Sequence, residues 1–457
     1  MMLKNALDPP IEMFETPAYF LPLLSGLSKG IMGQNTRNKI SANSISLSEC
    51  SDKYLSILVF VLIKRRHLEQ IREAIPIVLN VVKSVSSNSY DGDKDVVEHL
   101  IGLAVNIGTS IQEVCQKLED RRKKELRAIL GLYVLQIMVF ASLVDRGLSC
   151  IPMVSQLSSF FPFCNLSYSG LITGCEVESL SSIFLKDGDY DYISWFPLVR
   201  HGAALAVIWG YISDDIAKAA KQDLSITLMV EFRSSQIKRW QIVDMLKYVL
   251  SSVDLPWNLK RHAIELLLCI IDESNSEKCS EFADCSIYIP SLFAALQAII
   301  NVIIYAPDVV LRKNAFAALK RVLSDIPSYQ RFDILKALIT SSTSSSMVSY
   351  ILPIHMIAIL IDLIKGEMLM VNLHKRSTRS DAVIQEKVLL KSPFWSSNIL
   401  DLVEFVLKPP KGGLPLIPQQ SDEVFLAHFY ILINSENLKH SIALYVTEFC
   451  LKREIIS

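Results

Sequence analysis

Residues able to do chemistry are scarce in this chain, and their spacing argues against catalysis. Gly-Leu-Ser-Lys-Gly at 26–30 has the G-x-S-x-G spacing that sets a nucleophilic serine on a strand-to-helix elbow. Ser28, however, lies in a Ser-, Asn- and Gly-rich stretch with no strand pattern before it, so it is not assigned as a nucleophile. Asp-Gly-Asp-Lys-Asp (91–95) and Asp-Gly-Asp-Tyr-Asp (187–191) open like calcium loops. Their sixth positions are Val96 and Tyr192 where the sharp turn needs Gly, and their twelfth are Gly102 and Leu198 where a bidentate Glu belongs. Both read as solvated turns. Cys279 and Cys285 lie close in sequence, but no second Cys or His pair stands at zinc spacing, and His262 reads as helix surface or a satisfied core residue. There is no phosphate-binding glycine loop and no dinucleotide fingerprint; the one Gly pair sits in the Pro-rich segment 408–422. The expectation is a non-enzyme without metal or cofactor and with no small-molecule substrate.

Composition says what would have to position any site. Hydrophobic residues make up 51% of the 457 and charged residues 20%, which is globular rather than disordered. Only 16 Gly and 18 Pro leave little material for an all-β protein. Lys and Arg number 46 against 47 Asp and Glu, so no global field recruits nucleic acid or an anionic membrane. The nine cysteines are scattered and mostly sit in apolar helical runs, as buried thiols of a reducing compartment do. The first 24 residues make a poor secretory signal, and the expected location is nucleus and cytoplasm. Mean hydropathy of +0.33 raises the membrane question for 129–144 and 347–364. The first is shorter than the roughly 20 residues of a span, and the second contains Pro353, His355 and Asp362. Both are expected to be core helices.

Apolar residues recur with helical rather than alternating period in block after block from residue 54 onward. The predicted fold is all-α, a HEAT- or armadillo-like helical repeat solenoid. The expected organisation is a flexible segment at 1–52, an N-terminal array at 53–228 and a C-terminal array at 229–457. Segment 150–198, a mixture of Phe, Tyr and Ser, supports no assignment. The repeat is visible in two places: 246–267 and 319–338 share Leu-Lys-x-Val-Leu-Ser, then Asp-Leu/Ile-Pro, then a second amphipathic stretch. Each reads as a helical hairpin whose Asp can cap and whose Pro256 or Pro327 starts the second helix. A lone hairpin cannot bury its apolar face, so such units stack.

On a helical wheel Leu311, Ala315, Ala318, Leu319, Val322 and Ile326 share one arc; Lys313 and Lys320 fall opposite, and Arg312 and Arg321 flank it. That is sufficiently explained by a core stripe with a solvated basic back. Basic clusters at 120–127, 259–262, 311–313 and 373–379 would line one ridge if the repeats stacked their helix ends on one side. Without interleaved aromatics they do not build a nucleic-acid groove.

Several long strings resemble the plant aberrant root formation proteins, relatives of animal glomulin: 310–339, 357–368 and 399–422, with 200–212 and 255–272. The resemblance covers about 200–422 well and the first half loosely. It implies an all-helical, HEAT-like protein, monomeric outside its complex, that binds the RING subunit of cullin-based ubiquitin ligases. There it would cover the docking surface of the ubiquitin-conjugating enzyme, in plants affecting auxin response and lateral root formation. From region and chemistry, Met368 and Leu369 are candidate anchors, with Arg312, Lys313, Lys320, Lys365, Lys375 and Arg376 as rim charges. A general scaffold or transport adaptor is the alternative. Two departures stand out. Residues 348–355 read as an insertion, with Pro353 able to break a helix. The resemblance also implies that the chain starts late and ends, at 428–457, short of the family's helical tail, as a splice or gene-model variant would.

Overall fold

The computed structural model describes residues 68–88, 94–116, 118, 120–144, 150–186, 190–224, 227–271 and 287–344, with short pieces between 359 and 367 and at 393–395. The segments 1–52, 373–379 and 408–422 and the motifs at 26–30 and 279–285 lie outside the described residues. Every regular element among the described residues is helical, so the fold is all-α. The chain divides into two compact units, 1–270 and 271–457, and the two copies of the repeated motif fall in different units.

The first unit is built around one helix. Helices α1 (Leu68–Asn88), α2 (Lys94–Cys115) and α3 (Asp120–Val144) follow in sequence, and α1 and α2 both pack on α3. Every residue of α3 from Gly131 to Ser142 is buried. By length and composition α3 passes for a membrane span, yet 89% of its most apolar window is buried by the rest of the unit. It is the core helix that its length and setting predict.

A buried polar group costs on the order of 1–3 kcal/mol unless it is hydrogen-bonded, and Tyr133, Gln136 and Ser142 of α3 meet that requirement. Tyr133 donates its hydroxyl to the Ala104 carbonyl of α2 at 2.8 Å. Gln136 Oε1 accepts from the Leu198 N–H at 3.1 Å. Ser142 Oγ donates to the Met138 carbonyl at 2.8 Å and accepts from Trp209 Nε1 at 2.9 Å. Trp209 belongs to α9 (Val199–Ile212), whose residues 202–210 are all buried. Helix α9 presses closely on α3: a Cβ added at Gly202 would sit 1.9 Å from the Leu135 carbonyl oxygen. Only glycine permits that approach.

Segment 150–198 resolves into five short helices: α4 (Ile151–Ser158), α5 (Phe161–Cys164), α6 (Tyr168–Thr173), α7 (Cys175–Lys186) and α8 (Tyr190–Ile193). Helix α5 ends at Asn165 and α6 at Gly174, both left-handed, with φ of 56° and 77°. Gln222, beyond α10 (Asp214–Ala219), clamps the joint by accepting from the Tyr168 N–H and donating to the Leu166 carbonyl. A π-helical turn, Thr227–Phe232, leads to the hairpin α11 (Gln236–Leu250) and α12 (Trp257–Ile270). These two pack on each other and on α9.

The second unit contains α13 (Ile289–Tyr305), α14 (Val309–Ser324), α15 (Ser328–Ser344) and a short 3-10 turn, Pro393–Trp395. Helices α14 and α15 both lie against α13. The expected arc of α14 is the buried one: Leu311, Ala315, Ala318, Leu319, Val322 and Ile326 are all shielded from solvent. Asp325 closes α14 at its C-cap, and Arg331 N–H returns to the Pro327 carbonyl to start α15. Phe394 is buried edge-on against Phe332 of α15, with centroids 5.4 Å apart.

Candidate partner-binding surface

Three candidate residues, Arg312, Lys313 and Lys320, are described; Lys365, Met368, Leu369, Lys375 and Arg376 lie outside the described residues. The three do different things. Helix α13 stops at Ala306, and Asp308 caps α14, its carboxylate accepting from the N–H groups of Val310 at 3.0 Å and Leu311 at 3.3 Å. Arg312 folds back over this turn and donates Nη1 to the Ala306 carbonyl at 2.6 Å and the Pro307 carbonyl at 3.4 Å. A cation at the carbonyl end of a helix meets both its orphan acceptors and the negative end of its dipole. Arg312 is therefore first a clasp on the end of α13.

Lys313 and Lys320 are exposed and seven residues apart, so they share a face about 10 Å apart along the axis. The Lys320 ammonium lies 4.5 Å from the centroid of the Phe316 ring, one turn back. A cation so placed gains about 0.5–1 kcal/mol at an exposed site and covers part of the ring.

The tightness of the turn has a consequence that the wheel of α14 does not include. With only Ala306, Pro307 and Asp308 between the helices, the last side chain of α13 and the first two of α14 lie outside both packed arcs. Tyr305, Val309 and Val310 are 55%, 52% and 61% exposed. Three apolar side chains thus project at this turn, close in sequence to Lys313 and the clasped Arg312. Such a patch, apolar at its centre with charge beside it, has the composition of a protein-binding surface. The signal in the sequence was Tyr-Ala-Pro-Asp-Val-Val at 305–310, a proline-containing turn flanked by residues too apolar for solvent.

At the other end of α14, Arg331 holds Glu367 with Nη1 2.6 Å from both carboxylate oxygens, while its Nε donates to the Ile326 carbonyl at 3.2 Å. Both side chains are largely buried, and the neighbouring Leu360, Leu363 and Ile364 are core residues.

The other basic clusters have separate fates. Lys260, in 259–262, is buried in the first unit with its ammonium 4.5 Å from the Trp257 ring. Burial pulls its pKa down, opposed by the Asp254 carboxylate, so it belongs to no solvent-facing ridge. His262 Nδ1 lies within hydrogen-bond distance, 3.0 Å, of Glu265 Oε2 on the same helix.

Nothing in the described residues assembles catalytic chemistry. No group of three His, Cys, Asp or Glu stands close enough to hold a metal ion among them. Cys115 and Cys164 are buried, and burial pushes both thiols up, away from the reactive thiolate. His201 is pulled below the usual imidazole range by burial and meets Tyr248 edge-on at 5.3 Å.

Together the described elements define a class: an all-α helical array. No protein-family model matches the chain. It is 44% identical over 388 residues, 84% of its length, to Aberrant root formation protein 4 of Arabidopsis thaliana, and it spans 57% of that relative. The chain belongs to the plant aberrant root formation proteins. Among solved structures it is similar to a circular tandem repeat protein with a novel repeat topology, at 12% identity and a TM-score of 0.33, over 95% of this chain and 98% of that one. A likeness of that size fixes neither arrangement nor partner.

Proposed function

We propose that this chain is a non-enzymatic regulator that binds the RING subunit of cullin-based ubiquitin ligases and keeps the ubiquitin-conjugating enzyme from docking. The observation that supports this reading is the exposed apolar tip of the second unit, Tyr305, Val309 and Val310, flanked by Lys313. A RING domain offers its conjugating enzyme a shallow apolar groove with a polar rim. A competitor needs a small projecting apolar group with charge beside it, not a cleft. The mechanism is steric: occupation of the groove, with no bond made or broken. The name of the Arabidopsis relative refers to root formation. We place this chain in the same process, acting in nucleus and cytoplasm.

The test uses the full chain with purified cullin–RING complex, in a pull-down followed by a ubiquitin-chain assay. The wild type is expected to bind and to slow chain formation. Val309→Glu with Val310→Glu is expected to weaken binding at least about ten-fold, as loss of central anchors does, with helical circular dichroism unchanged. No binding at micromolar concentration sinks the RING reading. Unchanged binding by the double variant removes the tip from the interface and turns attention to the candidates beyond Glu367.

A further inference from the structure

Helix α3 has two unlike ends. Its second half is enclosed by the first unit, but its first turns emerge and carry Arg121, Arg122, Lys123 and Lys124 in succession. Arg121, Arg122 and Lys124 are exposed, and successive residues point about 100° apart, so positive charge faces solvent on several sides of the helix. Among the described residues no hydrogen-bond or ion-pair partner of these four side chains is seen, whereas other charges of this helix are engaged: Glu125 pairs with Arg72 at 3.1 Å, and the Arg127 guanidinium lies 5.1 Å from the Phe163 centroid. Four successive cations in the first turns, at the positive end of a helix dipole, repel one another and the dipole, and the single Asp120 at the helix start offsets only part of that charge. The usual occupants of that position are acidic. Arg121, Arg122 and Lys124 are not part of the packed core that holds the second half of the helix.

We propose that this cationic turn is a docking surface for an acidic segment of another protein. The chemistry separates that partner from other polyanions. The patch spans only about 5 Å of helix axis, enough to meet two or three carboxylates but too short to follow a nucleic-acid backbone. The rings nearest in contact with this helix's other charges already carry guanidinium groups: Phe163 that of Arg127, and Phe184 and Tyr192 that of Arg72, the partner of Glu125. A net charge of −1 for the whole chain gives no long-range pull on DNA or membrane, so recognition is local. This surface lies in the first unit and stands or falls independently of the RING reading.

The experiment measures fluorescence anisotropy of a labelled octa-glutamate peptide with the full-length chain, at low salt and at about 0.3 M salt, where charge attraction is screened within a few ångströms. Wild type is expected to bind saturably and to weaken as salt rises. Arg121→Glu with Arg122→Glu and Lys124→Glu is expected to lose at least about ten-fold in affinity. Lys218→Glu with Lys336→Glu, exposed cations elsewhere, should not change it. If the triple reversal fails to fold, as circular dichroism would show, the triple Gln variant serves and should lose about three-fold or more. Absence of saturable binding, or equal loss in the control variant, overturns the proposal. So does tighter binding to a DNA duplex or to phosphatidylserine vesicles through the same three residues.

Discussion

From Gly202 to Gly210 every residue of α9 is buried, whereas α14 buries one arc and leaves Lys313 and Lys320 in solvent. In the first unit, helices meet a central partner on all sides, and specificity is carried by backbone approach and by polar atoms paired across helices. In the second, the apolar arc of α14 suffices for packing, and the rest of its surface is available. Helices with two distinct faces can acquire a partner without refolding; a helix enclosed like α9 cannot. Interaction surfaces are therefore to be sought on the second unit's turns and, in the first unit, where α3 leaves the core.

The sharpest way to break this contrast is Gly202→Ala. Its methyl would overlap the Leu135 carbonyl, which is backbone and cannot rotate away. Overpacking typically costs about 1–3 kcal/mol, and the effect here should reach the upper end or beyond, read as a fall in the denaturant midpoint. A loss below about 0.5 kcal/mol would show that α3 and α9 separate easily and that the enclosed core is not rigid. The next effect tests the clasp on α13. Arg312→Met should cost about 1 kcal/mol through its lost carbonyl bonds, while Lys313→Met should change stability by less than about 0.5 kcal/mol. Equal effects would erase the distinction between a structural and a free cation.

The smallest expected effect is a pH slope from His201. Burial lowers its pKa in the folded state, so below the unfolded value near 6.5 the unfolded chain takes up the proton first. Stability from this residue is full above that range and falls as pH drops through it. Thermal unfolding of His201→Gln should be flatter between about pH 5 and 7 than that of wild type. An unchanged slope assigns the pH response to other groups.

Much of the fold was legible because long helices repeat their period often enough to be seen. The arc Leu311, Ala315, Ala318, Leu319, Val322 and Ile326 spans four turns, and each residue falls where the wheel puts it. The span 150–198 was not legible for the opposite reason. Helices of four to twelve residues offer little period, and their stops rest on backbone choices at Asn165 and Gly174 and on a clamp from distant Gln222. The candidate surface was half legible. Lys313 and Lys320 are exposed as the wheel requires, but the role of Arg312 depends on a three-residue turn that brings it back onto carbonyls six and five residues earlier. Val309 and Val310 look like core by residue type, and only the turn shows that they project.

The bidentate hold of Arg331 on Glu367 bears on the eight residues at 348–355, which read as an addition to the family pattern. Fourteen residues, 345–358, separate the end of α15 from the piece that begins at Ile359. The ion pair and buried Leu360, Leu363 and Ile364 fix where the returning chain lands. Shortening a connection of that many residues by about half changes its closure entropy by under about 1 kcal/mol. A tag or reporter inserted between 345 and 358 is therefore expected to leave the Arg331–Glu367 landing point in place, read as an unchanged denaturant midpoint.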